Sequence, residues 1–176
     1  MFSSKKKGLG ILGGSFDPPH KGHLKISLIS LKKLDLKIIY WIITKKNPFK
    51  KKPFFSIKER VYQSKKIIGR NKKIKVLYLD DKLKSSRTID ILKYFYMKKH
   101  KNLYLILGSD NMINFHRWKS WKKILRFSKL IVFSRKGYGK KSKASIVVKY
   151  SKKNIIYINN KTINISSSKI RKRFKI

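Results

Sequence analysis

Two imidazoles three residues apart, His20 and His23, flank Gly22 in the run Gly13-Gly14-Ser15-Phe16-Asp17-Pro18-Pro19-His20-Lys21-Gly22-His23. Side chains of this kind stabilise charge that develops on a phosphoryl group. The apolar run Leu9 to Leu12 before them reads as a buried strand. Leu24, Leu28 and Leu31 after them recur at helical spacing and read as a helix packed back on that strand. The histidines therefore fall at a strand-to-helix junction, where free helix N–H groups and the helix dipole favour phosphate. Gly13 and Gly14 would admit a nucleotide close to the backbone, and Gly22 would keep the space between the two rings open. By spacing alone, His-x-x-His also suits a metal pair or an ordinary helix start. The strand–turn–helix setting favours phosphate chemistry.

A second constellation lies near the other end of the chain, at Asn164-Ile165-Ser166-Ser167-Ser168-Lys169-Ile170-Arg171. Three serines at a helix start supply hydroxyls and N–H groups, and Arg171 adds a planar, permanently charged fork. Such a set suits a β,γ-phosphate pair, or equally an ordinary helix cap followed by a basic tail.

The elements that must position these groups alternate in type. Strands are expected at Lys37 to Ile43, Ile74 to Leu79, Leu103 to Leu107, Leu130 to Phe133 and Ile155 to Ile158. Between them, Ser56-Ile57-Lys58-Glu59 has the form of a capping box and opens a helix with Ile57, Val61 and Ile68 inward. Thr88 can cap another helix, with Ile89, Leu92 and Phe95 or Tyr96 inward. A further helix is expected over Trp118 to Phe127, and a last one from about Ser166 to the end. The two loosest segments are Lys45 to Phe55 and Lys136 to Lys143. The pattern predicts an α/β fold: one Rossmann-like, doubly wound domain over residues 1–176, with a mostly parallel sheet of about five or six strands.

Composition bounds the function classes. The chain has 176 residues, with 48 Lys plus Arg against 7 Asp plus Glu and a formal charge of +41. No cysteine is present, which excludes disulfides and thiolate metal sites. The longest apolar run, Ile38 to Ile43, falls far short of the ~20 residues of a membrane helix. Lys5, Lys6 and Lys7 are not followed by a signal-peptide apolar region, so a soluble cytoplasmic protein with no membrane partner is expected. The charge fits nucleic-acid binding, since lysine and arginine release counterions from phosphates. It also fits an AT-rich coding sequence, because lysine, isoleucine and asparagine abound while Ala144 is the one alanine. The lysines are scattered rather than blocked, which favours the compositional origin, and no specific nucleic-acid partner is expected.

The first constellation resembles the His-x-Gly-His signature of the nucleotidyltransferase superfamily, and more closely that of bacterial nicotinate-nucleotide adenylyltransferases. The resemblance runs from Gly8 to Arg171. It includes an Ile-Ser-x-x-x-Ile-Arg closing segment, matched by Ile165, Ser166, Ile170 and Arg171. It implies adenylyl transfer from ATP to nicotinate mononucleotide, with Mg²⁺ arriving on the nucleotide and no metal site of the protein's own. The catalytic groups implied are His20, His23 and Arg171. ATP contacts are implied for Gly13, Gly14, Ser15, Phe16, Gly22, Gly108, Asp110, Ile165, Ser166, Ser167 and Ser168. Asp110, in Gly108-Ser109-Asp110 after a strand, would accept from ribose hydroxyls, or equally serve as an N-cap.

Trp118, in Phe115-His116-Arg117-Trp118, is implied to stack on the pyridine ring, a reasonable partner for an electron-poor face. The alternative is that it packs with Trp121 and Leu125. Trp121 itself reads as core, and His100 and His116 as structural. Thr88 is implied near the nicotinate carboxylate, and Lys50 and Arg135 near the mononucleotide phosphate. Phosphopantetheine adenylyltransferases share the size and the serine-rich motif, but normally carry threonine where this chain has His20. A non-enzymatic nucleic-acid-binding protein fits the charge and leaves both phosphate motifs unexplained.

Overall fold

The computed structural model describes residues 7–45, 52–160 and 165–173. Six strands, β1 (Leu9–Gly14), β2 (Ile38–Ile43), β3 (Ile74–Tyr78), β4 (Leu103–Gly108), β5 (Ser128–Phe133) and β6 (Ile155–Ile158), form one sheet in the order β3-β2-β1-β4-β5-β6. Every pairing is parallel. Parallel strands need crossovers and are covered on both faces, which explains their near-continuous apolar runs. The helices between and after the strands are α1 (Lys21–Lys33), α2 (Ile57–Ile68), α3 (Asp80–Leu83), α4 (Thr88–Met97), α5 (Ser109–Ile113), α6 (Trp121–Phe127), α7 (Gly139–Lys143), α8 (Ile146–Tyr150) and α9 (Ser167–Arg173).

The core divides into two layers. On one face Trp41, Ile39, Ile43 and Phe133 pack beneath α1 and α2. On the other, Ile89, Leu92, Phe95, Phe115, Ile124 and Leu125 pack on Leu105, Leu107 and Val132. The strand order reverses between β1 and β4, whose connections leave to opposite faces. The crevice at their carboxyl ends is where an open α/β sheet takes ligands.

Several local expectations are corrected. Of the leucines expected to face inward from α1, Leu24 and Leu31 pack half-buried against the core, but Leu28 is exposed, and Ser27 and Ser30 are fully buried instead. The two hydroxyls bond the carbonyls four residues back, at 2.9 and 2.8 Å, and Ser27 Oγ also accepts from the indole N–H of Trp41 at 2.8 Å. Small satisfied side chains let α1 lie close on the sheet. The capping box of α2 forms as expected, with Glu59 N–H donating to Ser56 Oγ and Ser56 N–H to Glu59 Oε2. Ile68 is buried and Val61 packs half-buried against the core as expected, but the other buried residues of the helix are Arg60 and Ser64.

Thr88 is the first residue of α4, and Arg87 occupies the cap position. Phe95, not Tyr96, turns inward. The helix expected from Trp118 begins only at Trp121: residues Phe115–Arg117 form a 3₁₀ turn, and Trp118 after it is extended. Trp121 is half-buried and meets the exposed Tyr150 ring edge-on, so it borders the core rather than filling it. Within the segment 136–143, α7 replaces the expected loop.

Candidate active site

The first motif leaves β1 through a turn in which Phe16 adopts a left-handed backbone (φ 49°), and Asp17-Pro18 is a cis peptide. Phe16 is buried and rests on Trp41, with ring centroids 5.1 Å apart, and on His23 at 4.6 Å. His20 caps α1 and His23 lies three residues inside it. Their rings stack with centroids 3.8 Å apart.

The backbone N–H of His20 donates to Nδ1 of His23 at 3.2 Å. In the neutral ring this puts the proton of His23 on Nε2 and makes that nitrogen a donor. Burial, reinforced by the positive charge of Arg135, holds the His20 imidazole down to about 4. At neutral pH His20 is therefore an uncharged ring, and its Nδ1 is buried without a partner among the described residues. Gly22 leaves the room that this packing uses. A Cβ at this position would stand 2.8 Å from His20 Nδ1 and 2.9 Å from Ile165 Cγ2. A Cβ at Gly13 would meet nothing within 4 Å, so the mouth of the crevice is open at that point.

The closing segment docks directly on this junction. Ser167 Oγ donates to the Pro18 carbonyl at 2.8 Å, and Ser166 Oγ accepts from Lys169 N–H at 3.2 Å, capping α9. Arg171 is held by Asp17, through its carbonyl and through Oδ2 at 3.2 Å, and its second nitrogen lies 3.5 Å from Ser168 Oγ. Segments some 150 residues apart thus share one site. Asn164, at the start of that motif, lies outside the described residues.

The third wall follows β4. Asp110 sits in the first turn of α5, whose cap position belongs to Gly108, so the N-cap alternative for Asp110 is set aside. Its Oδ2 pairs with Arg135 at 2.5 Å, while Oδ1 is buried without a partner among the described residues. A Cβ at Gly108 would overlap that Oδ1. Arg135, just past β5, is anchored by its own N–H to Ser109 Oγ at 2.9 Å. The cation implied near the mononucleotide phosphate therefore sits within reach of both Asp110 and the electrostatic field of His20.

Trp118 tilts against Phe115, with centroids 4.8 Å apart, and is half-buried. It does not share a helical face with Trp121 and Leu125, because α6 starts after it. Thr88 and Trp118 lie on the opposite face of the sheet from α1 and α2. Lys50 lies outside the described residues. Two residues at the site were not singled out from the sequence. Asp17, 4% exposed, joins the two motifs, and Arg60, 2% exposed, reaches the same turn. Nothing in the sequence separates Arg60 from the other cations; its burial on α2 with Ser64 and Ile68 does so in the structure.

Residues 11–173 match the family model described as cytidylyltransferase-like. A protein of Pelagibacter ubique named as a nicotinate-nucleotide adenylyltransferase is 48% identical over 171 residues, 97% of this chain and 95% of the relative. One of the same name from Rhizobium meliloti is 35% identical over 73% of this chain and 69% of its own length. The solved Plasmodium falciparum nicotinic acid mononucleotide adenylyltransferase complexed with NaAD shares the fold, with a TM-score of 0.74. That match covers 94% of this chain and 83% of the other, at 23% identity. With the histidine and serine-rich motifs meeting at the β1/β4 crevice and a relative matched over nearly the full length, the chain belongs to the cytidylyltransferase-like family and, within it, to the nicotinate-nucleotide adenylyltransferases.

Proposed function

We propose that this protein transfers the adenylyl group of ATP to nicotinate mononucleotide, giving nicotinate adenine dinucleotide and pyrophosphate, a step of NAD biosynthesis. The mononucleotide phosphate attacks the α-phosphorus of ATP in line, and the bond to the pyrophosphate oxygen breaks. The nucleophile is already an anion, so neither a general base nor a covalent intermediate is required. Catalysis is positioning plus electrostatic stabilisation of the phosphoryl oxygens.

The observation that carries this reading is the stacked His20–His23 pair, covered by the Ile165 to Arg171 segment across the Gly22 gap. His23 donates from Nε2 to a non-bridging oxygen of the transferred phosphoryl group, and His20 acts as a neutral hydrogen-bonding ring. Arg171 and Ser166 to Ser168 hold the leaving pyrophosphate. Gly13, Gly14, Ser15, Phe16 and Gly108 line the adenylate path, and Asp110 offers its unpartnered Oδ1 to ribose hydroxyls. Trp118 stacks on the pyridine ring, Thr88 faces the nicotinate carboxylate, and Arg135 and Lys50 serve the mononucleotide phosphate.

Mg²⁺ would come bound to the ATP phosphates, neutralising their charge. No three His, Cys, Asp or Glu residues cluster among the described residues, and no step is assigned to that ion. We take residues 1–176 as a single nucleotidyltransferase domain acting in the cytoplasm; among the described residues no helix is long and apolar enough to cross a membrane. Incubation with ATP and nicotinate mononucleotide should yield dinucleotide and pyrophosphate in equal amounts. Pyrophosphate without dinucleotide would overturn the proposal.

A further inference from the structure

Arg60 has no part in the chemistry above, yet its side chain is almost fully enclosed beneath the catalytic edge of the sheet. Arginine is seldom buried without a carboxylate partner. Among the described residues none lies within ion-pair distance of Arg60. Its donors go instead to main-chain carbonyls of three separate segments: Nε to Phe55 at 3.0 Å, and Nη1 to Ser15 at 2.6 Å and Thr44 at 2.8 Å. The carboxylates that act on it at longer range, Asp17 and Asp80, are themselves buried. Both accept main-chain N–H groups from the same segments. Asp17 takes those of Phe54 and Phe55 at 3.0 and 2.9 Å, and Asp80 that of Lys45 at 2.7 Å.

The three charged groups thus hold the chain at positions 44–45 and 54–55 from both polarities and tie it to the turn after β1. The shortest of these bonds ends on the Ser15 carbonyl, one residue before Phe16, whose ring abuts His23. Asp17, next in sequence, is the residue that holds Arg171. A lysine at position 60 would keep the charge, but its single ammonium cannot span three carbonyls that a planar fork reaches.

We infer that Arg60 is a positioning residue for adenylyl transfer: through the Ser15 carbonyl and Phe16 it sets the imidazole of His23, and through Asp17 it steadies the guanidinium of Arg171. This rests on the site assignment under Proposed function. A purely structural arginine would affect stability alone, whereas a positioning one must also alter the geometry of His23 in protein that remains folded.

The test uses Arg60→Lys and Arg60→Met, assayed well below the melting temperature of each. The expected result is a fall in kcat of at least about tenfold, with KM for ATP changing less than about threefold, as a misplaced catalytic group requires. In parallel, ¹⁵N NMR of the histidine rings without substrates should show His23 protonated on Nε2 alone in the wild type and a mixture of tautomers in the variants. Folded variants with wild-type kcat, or with an unchanged His23 tautomer, would overturn the inference. The NMR arm does not depend on turnover, so it stands apart from any failure of the adenylyl-transfer reading. Should neither variant fold, the wild type still decides. The Arg60 Nε–H should exchange slowly with solvent and shift on addition of a non-hydrolysable ATP analogue, and a fast-exchanging or unmoved resonance would overturn the inference.

Discussion

Replacing Gly22 by alanine sets two effects of opposite sign against each other. Position 22 lies in the first turn of α1, where alanine is favoured over glycine by up to about 1 kcal/mol. The added methyl, however, would stand 2.8 Å from His20 Nδ1, 2.9 Å from His20 Cε1 and 2.9 Å from Ile165 Cγ2. Ordinary contact begins near 3.4 Å, so each neighbour must withdraw by about 0.5 Å.

The His20 ring cannot move freely, because it is buried and stacked on His23. Ile165 belongs to the segment that docks on the turn before α1. Overpacking of this kind typically costs about 1–3 kcal/mol, which roughly offsets the helical gain, so Gly22→Ala should change the melting temperature by only a few degrees. Turnover should respond far more, by about 100-fold, because the displacement separates the catalytic imidazole from the closing segment. Steady-state pyrophosphate release alongside thermal melts reads both quantities. A variant with raised stability and unimpaired kcat would show that the gap between His20 and Ile165 carries no function.

Three further outcomes are expected. His23→Ala should lower kcat by about 10²–10³-fold with a much smaller effect on ATP affinity, as loss of a transition-state donor does, and pre-steady-state kinetics with ATP titration would check it. His20 is depressed from 6.5 to about 4 in the folded protein, so the unfolded chain takes up a proton first as pH falls. Its stabilising effect is present above pH 6.5 and drains away toward pH 4. Denaturant melts should show the wild type losing about 2–3 kcal/mol more than His20→Asn between pH 7.5 and 4.5. Finally, if the +41 charge is compositional, binding to mixed-sequence oligonucleotides should be sequence-independent and collapse between about 50 and 200 mM salt while adenylyl transfer persists. Anisotropy titrations across that range would reveal any tight, salt-resistant exception.

The sheet was legible in the sequence because its strands are apolar, β-branched runs bounded by turns, and β6 falls on the expected Ile155 to Ile158. The candidate phosphate motifs stand out in the sequence because glycine, serine and histidine sit where a loop meets a helix, and the structure brings the two together. Helix faces were harder to read. Ser27 and Ser30 face inward, since a buried hydroxyl that bonds a carbonyl one turn back, or accepts from an indole, lets a helix approach closely. Hydrophobic spacing gives no signal for that choice. Arg60 was hidden among 48 cations, and only the converging carbonyls of Ser15, Thr44 and Phe55 distinguish it. Trp118, Trp121 and Leu125 recur at i, i+3 and i+7, which reads as one helix although α6 starts only at Trp121.

The central claim is that this crevice joins ATP to a carboxylated pyridine mononucleotide. It is tested most directly by kcat/KM for pyrophosphate release with nicotinate mononucleotide, nicotinamide mononucleotide and phosphopantetheine as acceptors, each with ATP. The account predicts the highest value for nicotinate mononucleotide, because Thr88 and Trp118 would receive its carboxylate and ring. Equal or better use of phosphopantetheine would contradict it.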